Sequence, residues 1–244
     1  MPSTIERRAV RYTVLSFDLD GTLVDTADEI AEAANRTIEE FGVPRRPPAE
    51  ILLLIGAGTR ELMTRLVAGV TRELSLPATQ LPLGDVLARF DVHYAATAGI
   101  SGLPYPGCVD TLRRLRDDGV RLACVTNKEE RFARRVLEAT RLDGAFELLI
   151  GGDTLPVKKP DRGVIDHVLG ALGGHAGTAA HIGDSRTDVQ TARNAGVGAW
   201  AVPYGYNAGE AIEACRPERI FHSLPEIADH VLAANRLESA GLGR

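Results

Sequence analysis

The sequence predicts an α/β fold, a parallel sheet covered by helices on both faces, with an all-helical segment inserted after the first strand. Three observations carry this. From about residue 106 onward, short apolar runs alternate with segments of helical period, the rhythm of parallel strands joined by crossover helices. Between about 25 and 104 the apolar residues recur at helical spacing and no alternating strand stands out. Ahead of both lies the apolar run Tyr12–Phe17, which stops abruptly at Asp18-Leu19-Asp20-Gly21-Thr22. Such a run reads as a strand that delivers carboxylates at its C-terminal end.

Taken in order, the elements follow from their punctuation. Ile30, Ala34, Ile38 and Phe41 share one helical face, and Gly42 and Pro44 end that run. The apolar patch Ile51–Ile55 precedes Gly56-Ala57-Gly58, after which Leu62, Met63 and Leu66 form a second helical face. A third helix, Leu83–Ala96, turns Val86, Leu87, Phe90 and Tyr94 inward. The breaker cluster Ser101–Gly107 reads as a return linker. Beyond it, helical patterns lie near 107–118, 129–141, 162–172, 187–195 and 224–234, with strand-like runs at 120–125, 146–150, 178–182 and 198–202. Gly119 and Gly196 suit helix C-termini. The expected division is a core of residues 1–24 plus 105–244 and a helical insertion of residues 25–104.

Composition narrows the function classes. A chain of 244 residues can bury a sizeable core. Its net charge of -5 argues against nucleic acid as a partner, because a phosphate backbone calls for basic stripes. A small anion needs only a local positive site. Cys108, Cys124 and Cys215 are far apart and form no C-x-x-C pair, so neither a disulfide framework nor a zinc site is expected. Cys124, inside an apolar run, reads as a small buried hydrophobe. No run approaches the roughly 18 apolar residues of a membrane span, and no apolar segment follows Arg7, Arg8 and Arg11 as a signal peptide requires. The expectation is a soluble, cytoplasmic protein with no membrane partner; monomer or homo-oligomer stays open.

Ligands of open parallel sheets bind beyond the carboxyl ends of the strands. There the first run delivers Asp18 and Asp20, the run ending at Val125 delivers Thr126 and Asn127, and the run ending at Ile182 delivers Asp184, with Asp188 four residues on. Lys158 and Lys159 precede Pro160 in an intervening loop. Crowded carboxylates require a cation, and an all-oxygen site suits magnesium, which also binds substrate phosphate. One aspartate can attack phosphorus while a second protonates the leaving oxygen and later activates water. A lysine offsets the charge on nucleophile and phosphate, and Thr126 with nearby N–H groups can hold phosphate oxygens.

These segments resemble the motifs of the haloacid dehalogenase superfamily, in particular its phosphoglycolate phosphatase-like hydrolases. Phe17-Asp-Leu-Asp-Gly-Thr-Leu-Val-Asp25, Val125-Thr-Asn-Lys128, Lys158-Lys-Pro160 and Gly183-Asp-Ser-Arg-Thr-Asp188 resemble its four motifs in order and spacing, over nearly the whole chain. Gly151-Gly-Asp-Thr154, Tyr204-Gly-Tyr-Asn207 and Tyr105-Pro-Gly107 add to the likeness. The resemblance implies a Rossmann-like core with a mobile helical cap, and hydrolysis of 2-phosphoglycolate with Mg2+. It casts Asp18 as nucleophile and metal ligand, and Asp20 as acid/base that lends the metal its backbone carbonyl. Lys159 would be the catalytic lysine, Thr126 and Asn127 the phosphate-binding pair, Asp184 a metal ligand and Asp188 its support. Asp20 favours phosphate esters, since dehalogenases of this scaffold lack that carboxylate. A cation on the cap is expected to receive the substrate carboxylate, from Arg65 or Arg60, with Arg65 preferred.

Other readings stand beside these. A sugar phosphomutase would share Asp18 and Asp20, a phosphatase of another small monoester would share the whole site, and a non-catalytic binding protein could inherit the scaffold. His181 reads as a core histidine, Lys158 as a solvated charge, and Tyr204 and Tyr206 as packing residues. Gly56-Ala57-Gly58 lacks the third glycine and the βαβ setting of a dinucleotide loop.

Overall fold

The structure, a computed structural model, describes residues 11–77 and 79–241; Arg7 and Arg8 lie outside the described residues. The chain opens with strand β1 (Val14–Phe17) and a two-residue strand β2 (Val24–Asp25). Four helices follow, α1 (Ala27–Glu40), α2 (Pro48–Leu52), α3 (Thr59–Glu73) and α4 (Leu83–Thr97), and then a short strand β3 (Leu103–Pro104). The remainder alternates: α5 (Cys108–Asp117), β4 (Arg121–Val125), α6 (Glu130–Ala139), β5 (Leu148–Ile150), α7 (Gly163–Ala171) and β6 (Ala179–Gly183). It ends with α8 (Arg186–Ala195), β7 (Gly198–Ala201), β8 (Arg219–Ile220) and α9 (Leu224–Gly241).

Among the described residues, six strands form one parallel sheet in the order β5-β4-β1-β6-β7-β8. Side chains alternate across it with the period of two that a pleated strand imposes. Leu15 and Phe17 of β1, Leu122 and Cys124 of β4, and Ala180 and Ile182 of β6 pack under α5, α6 and α9. Val14, Ala123, Val125 and Ala179 pack under α7 and α8 instead. Because both faces are covered, each strand reads in sequence as a continuous apolar run. Leu15 and Phe17 are fully buried, and burial of each such side chain is worth roughly 1.5–3 kcal/mol. The strand that ends at Asp18 is therefore firmly anchored.

Helices α1–α4 form an inserted all-helical cap with its own core, built around Ile38, Met63, Phe90 and Tyr94. Phe132 of α6 joins that core, its ring 4.8 Å from the ring of Tyr94. The cap thus rests on the sheet-bearing part through shared apolar packing.

Four short elements depart from the sequence expectation. β2 and β3 pair antiparallel where the chain leaves for the cap and where it returns, with Val24 opposite Pro104. β8 extends the sheet edge, and α2 ends within the apolar patch before Gly56. Two-residue strands carry too few side chains to print an alternation, and Pro104, which has no N–H, fits only an edge. The three cysteines are unpaired and buried, Cys124 as expected from its apolar run. Among the described residues, no helix is long and apolar enough to cross a membrane.

Candidate active site

Strand β1 lies between β4 and β6, so the chain reverses its winding direction at this point and leaves a crevice beyond the strand ends. Asp18 directly follows β1, Thr126 follows β4, and Asp184 follows β6. Their backbones continue the sheet: Asp18 N–H donates to Ile182 O at 2.8 Å, and Thr126 N–H donates to Ile150 O at 2.9 Å. The three side chains are held at neighbouring heights by the ladder.

Carboxylate oxygens of Asp18, Asp184 and Asp188 lie within 4.8 Å of one another, and all three residues are buried. Asp188 stands in the first turn of α8, where Ser185 donates to its Oδ2 from the backbone N–H (3.1 Å) and from Oγ (2.5 Å), half of a capping box. Lys159, 3% exposed, places its Nζ 2.6 Å from Asp188 Oδ1 and 2.8 Å from Asp18 Oδ1. His181 is fully buried and bridges the same group: Nε2 is 3.2 Å from Asp188 Oδ1, and Nδ1 is 2.9 Å from Ser16 Oγ. The histidine is a core residue as expected, and it also fixes Asp188.

The charges are strongly perturbed. Burial, together with the neighbouring Asp188 and Asp20, pushes the Asp18 carboxyl up to about 7 against the pull of Lys159. Burial and the same crowding raise Asp184 well above the usual carboxylate range. Burial also opposes ionisation of Asp188, but Lys159 and His181 outweigh it and hold that group low. Desolvation works against the Lys159 ammonium, yet Asp18 and Asp188 keep it charged.

Asp184 is packed tightly from both sides. Gly21 has φ +79°, and a Cβ there or at Gly205 would collide with the Asp184 carboxylate. Tyr206 N–H also donates to Asp184 Oδ2.

Asp20 faces a different set of partners. Its Oδ1 accepts from Thr26 Oγ1 at 2.6 Å and from Lys128 Nζ at 2.5 Å. The oxygen cluster therefore contains the Asp188 carboxylate, expected only as a support, and not the Asp20 carboxylate. Lys128 is buried; Glu29 Oε1 of α1 lies 3.8 Å from its Nζ, which sits 5.1 Å from the centre of the Tyr94 ring. At the start of α1, the Tyr206 hydroxyl accepts from Thr26 N–H (2.8 Å) and Ala27 N–H (3.1 Å) and donates to Asp25 Oδ1. It ties the loop after β7 to the segment that leads into the cap.

One cavity receives these groups. Asp18, Asp20, Thr126, Asn127 and Asp184 line its sheet side. Ile55, Leu62, Tyr94 and Ile30 line its cap side. Asn127 donates from Nδ2 to Lys159 O at 3.1 Å, and its buried Oδ1 has no hydrogen-bond partner among the described residues.

Arg60 and Arg65 are not brought to this cavity; both are exposed and neither lines it. α3 turns Leu62, Met63, Leu66 and Val70 into the cap core. At 100° per residue, both arginines fall about 100° or more from the centre of that stripe. Conversely, Lys128, Glu29 and Thr26 carry no role in the sequence reading, and Tyr206, expected as a packing residue, also binds Asp25 and the start of α1. Lys128 lay inside a recognised motif without a role. Glu29 sits among acidic neighbours that look solvated, although Ala33 and Thr37 at four-residue spacing are buried with it.

The donor set fits a divalent cation. Three buried carboxylates converge, Asp18 Oδ1 makes no aligned hydrogen bond, and the oxygens are hard ligands of the kind magnesium selects. Asp18 and Asp184 would hold it, next to Asp188.

Comparison with known proteins agrees with this geometry. The profile of the haloacid dehalogenase-like hydrolases matches residues 15–202. A phosphoglycolate phosphatase of Pseudomonas putida is 37% identical over 226 residues, 91% of this chain and 79% of its own. One of Thiobacillus denitrificans is 35% identical, covering 86% of this chain and 92% of its own. The crystal structure of a predicted phosphoglycolate phosphatase from Haemophilus somnus superposes with a TM-score of 0.84 at 27% identity, over 89% of this chain and 97% of that one. With its motifs gathered at one strand edge beneath an inserted helical cap, the chain belongs to the haloacid dehalogenase-like hydrolase family.

Proposed function

We propose that this phosphoric monoester hydrolase acts on 2-phosphoglycolate in the cytoplasm, releasing glycolate and phosphate, with Mg2+ as its metal. The observation that carries the chemistry is the pair of carboxylates two residues apart after β1. Asp18 sits against Lys159 and the carboxylate cluster, while Asp20 is held apart from that cluster by Thr26 and Lys128. This difference in partners supports a reacting role for Asp18 and a proton-handling role for Asp20. The substrate follows from the phosphoglycolate phosphatases that resemble the chain over most of its length.

In the first step an Asp18 oxygen attacks phosphorus and the bond from phosphorus to the ester oxygen breaks. That oxygen takes its proton from Asp20, and glycolate leaves. In the second step Asp20 takes a proton from water, the water oxygen attacks phosphorus, and phosphate departs from Asp18. Thr126 and Asn127 hold the phosphate oxygens from the end of β4. Lys159 offsets the charge on Asp18 and is itself fixed by Asp188 and His181. Magnesium, held by Asp18, Asp184 and the backbone carbonyl of Asp20 beside Asp188, would neutralise the carboxylates and the phosphate. The cap, taken as residues 25–104 on a core of 1–24 plus 105–244, excludes water from the cavity with its apolar wall.

The test is phosphate release from 2-phosphoglycolate, with magnesium and with chelator, against a panel of sugar and nucleoside monophosphates. Magnesium-dependent release with preference for 2-phosphoglycolate is expected. Preference for another ester would overturn the substrate, and isomer formation without free phosphate would overturn hydrolysis.

A further inference from the structure

We infer that Lys128 recognises the second anionic group of the substrate, the carboxylate, and so makes small carboxylated phosphoesters the preferred class. The inference rests on the hydrolase reading above and names the cation that the reading needs. Among the described residues, Lys128 contributes the one lysine or arginine side chain that lines the cavity. Lys159 lies behind Asp18 and is bound to Asp18 and Asp188. Arg60 and Arg65 are exposed and line no part of the cavity.

The position of Lys128 matches the shape of the substrate. Its Nζ is 2.5 Å from Asp20 Oδ1, and Asp20 is the group that must reach the ester oxygen. In 2-phosphoglycolate the carboxylate is joined to that oxygen through a single methylene. A cation in hydrogen-bond contact with the acid is therefore one methylene from the ester oxygen, where the carboxylate has to fall. An ammonium carries three donors, and among the described residues Nζ makes a hydrogen bond to Asp20 Oδ1 only. Glu29 Oε1 at 3.8 Å is beyond that distance and has no other hydrogen-bond partner. Donors remain for an incoming carboxylate.

The seat of the ammonium is built rather than incidental. Lys128 is 5% exposed, supported from the cap by the Tyr94 ring and by Glu29, and from the sheet side by Asp20. Around it, Ile30, Ile55 and Leu62 present apolar walls. They suit a methylene and offer nothing to the hydroxyls of a sugar. A charge-assisted contact in such surroundings is stronger than one at a surface.

The experiment compares kcat/KM for 2-phosphoglycolate with that for 2-hydroxyethyl phosphate, which carries a hydroxymethyl group in place of the carboxylate. The ratio of the two is the readout, so a general loss of rate cancels. The wild-type protein is expected to favour 2-phosphoglycolate strongly. Lys128→Met is expected to lower the ratio by about 10- to 100-fold, the range of a hydrogen bond to a charged group, mainly through KM for 2-phosphoglycolate. Lys128→Arg is expected to keep most of it. The double variant Arg60→Ala/Arg65→Ala leaves Lys128 in place and is expected to keep the wild-type ratio. It serves as the deciding arm if Lys128→Met does not fold, as judged by circular dichroism. An unchanged ratio in a folded Lys128→Met, or a collapsed ratio in the arginine variant, would overturn the inference and leave the hydrolase reading standing. A wild-type protein that hydrolyses other esters but not 2-phosphoglycolate would overturn both.

Discussion

At the carboxyl edge of the sheet, Asp18, Thr126 and Asp184 each follow a strand whose side chains are buried on both faces. The cap meets the same cavity with Ile30, Ile55, Leu62 and the phenol of Tyr94. In the proposed mechanism the sheet edge carries the reactive groups, because the ladder fixes where each strand stops. In the same proposal the cap supplies shape and exclusion of water, because the side chains it turns to the cavity are mostly apolar. Lys128 stands where the two meet, bound to Asp20 on one side and leaning on Glu29 and Tyr94 on the other. The division implies that chemistry is intolerant of change at the sheet edge, whereas changes in the cap alter selection and water exclusion.

Substitutions break this contrast in a definite order. Asp18→Asn removes the proposed nucleophile and is expected to lower kcat by roughly 10⁴-fold or more, with the fold intact by circular dichroism. A loss of less than tenfold would mean that the sheet edge does not hold the reacting group. Asp20→Asn keeps the shape but cannot donate and accept the proton, and a loss of about 10²- to 10⁴-fold is expected. On the cap side, Leu62→Ala opens an apolar wall far from the proton transfers. Steady-state kinetics should show a rise in KM of roughly tenfold or less with kcat nearly retained. A collapse of kcat as deep as that of Asp20→Asn would erase the distinction between the regions.

The smallest effect concerns pH. Without metal, burial raises Asp18 to about 7 from the ordinary 3.8. The folded state therefore holds that proton more tightly than the unfolded chain does. Its contribution to stability is present below pH about 4 and is lost as pH rises through about 7. A divalent cation needs the ionised carboxylate, so magnesium affinity and the thermal stabilisation by magnesium should both grow from about pH 6 to about pH 8. Titration calorimetry with an affinity flat over that window would contradict the assigned cause.

The same contrast explains what could be read in the sequence. β1, β4, β6 and β7 are doubly buried and stand out as apolar runs, and the residues just beyond three of them form the site. Lys159 and Lys158 are identical neighbours, yet one is buried on Asp18 and the other is exposed; only the following Pro160 and the family resemblance separate them. His181 gives no hint in a strand of its contact with Asp188, because a contact between a strand and the helix that follows it leaves no periodic spacing. Arg65 is expected in the site from its charge and from the arginine that the resembling family has there, but the phase of α3 carries it away from the cavity. Lys128 and Glu29 become partners only when the cap folds over the sheet edge, a long-range event with no local pattern.

The most direct measurement of the central claim is rapid acid quench of the Asp20→Asn variant mixed with 2-phosphoglycolate labelled in its phosphoryl group, followed by peptide mapping. A phosphoryl label on Asp18, absent in Asp18→Asn, is the predicted result. A label on another residue, or phosphate release with no protein-bound label at any time, would contradict the placement of the nucleophile at the end of β1.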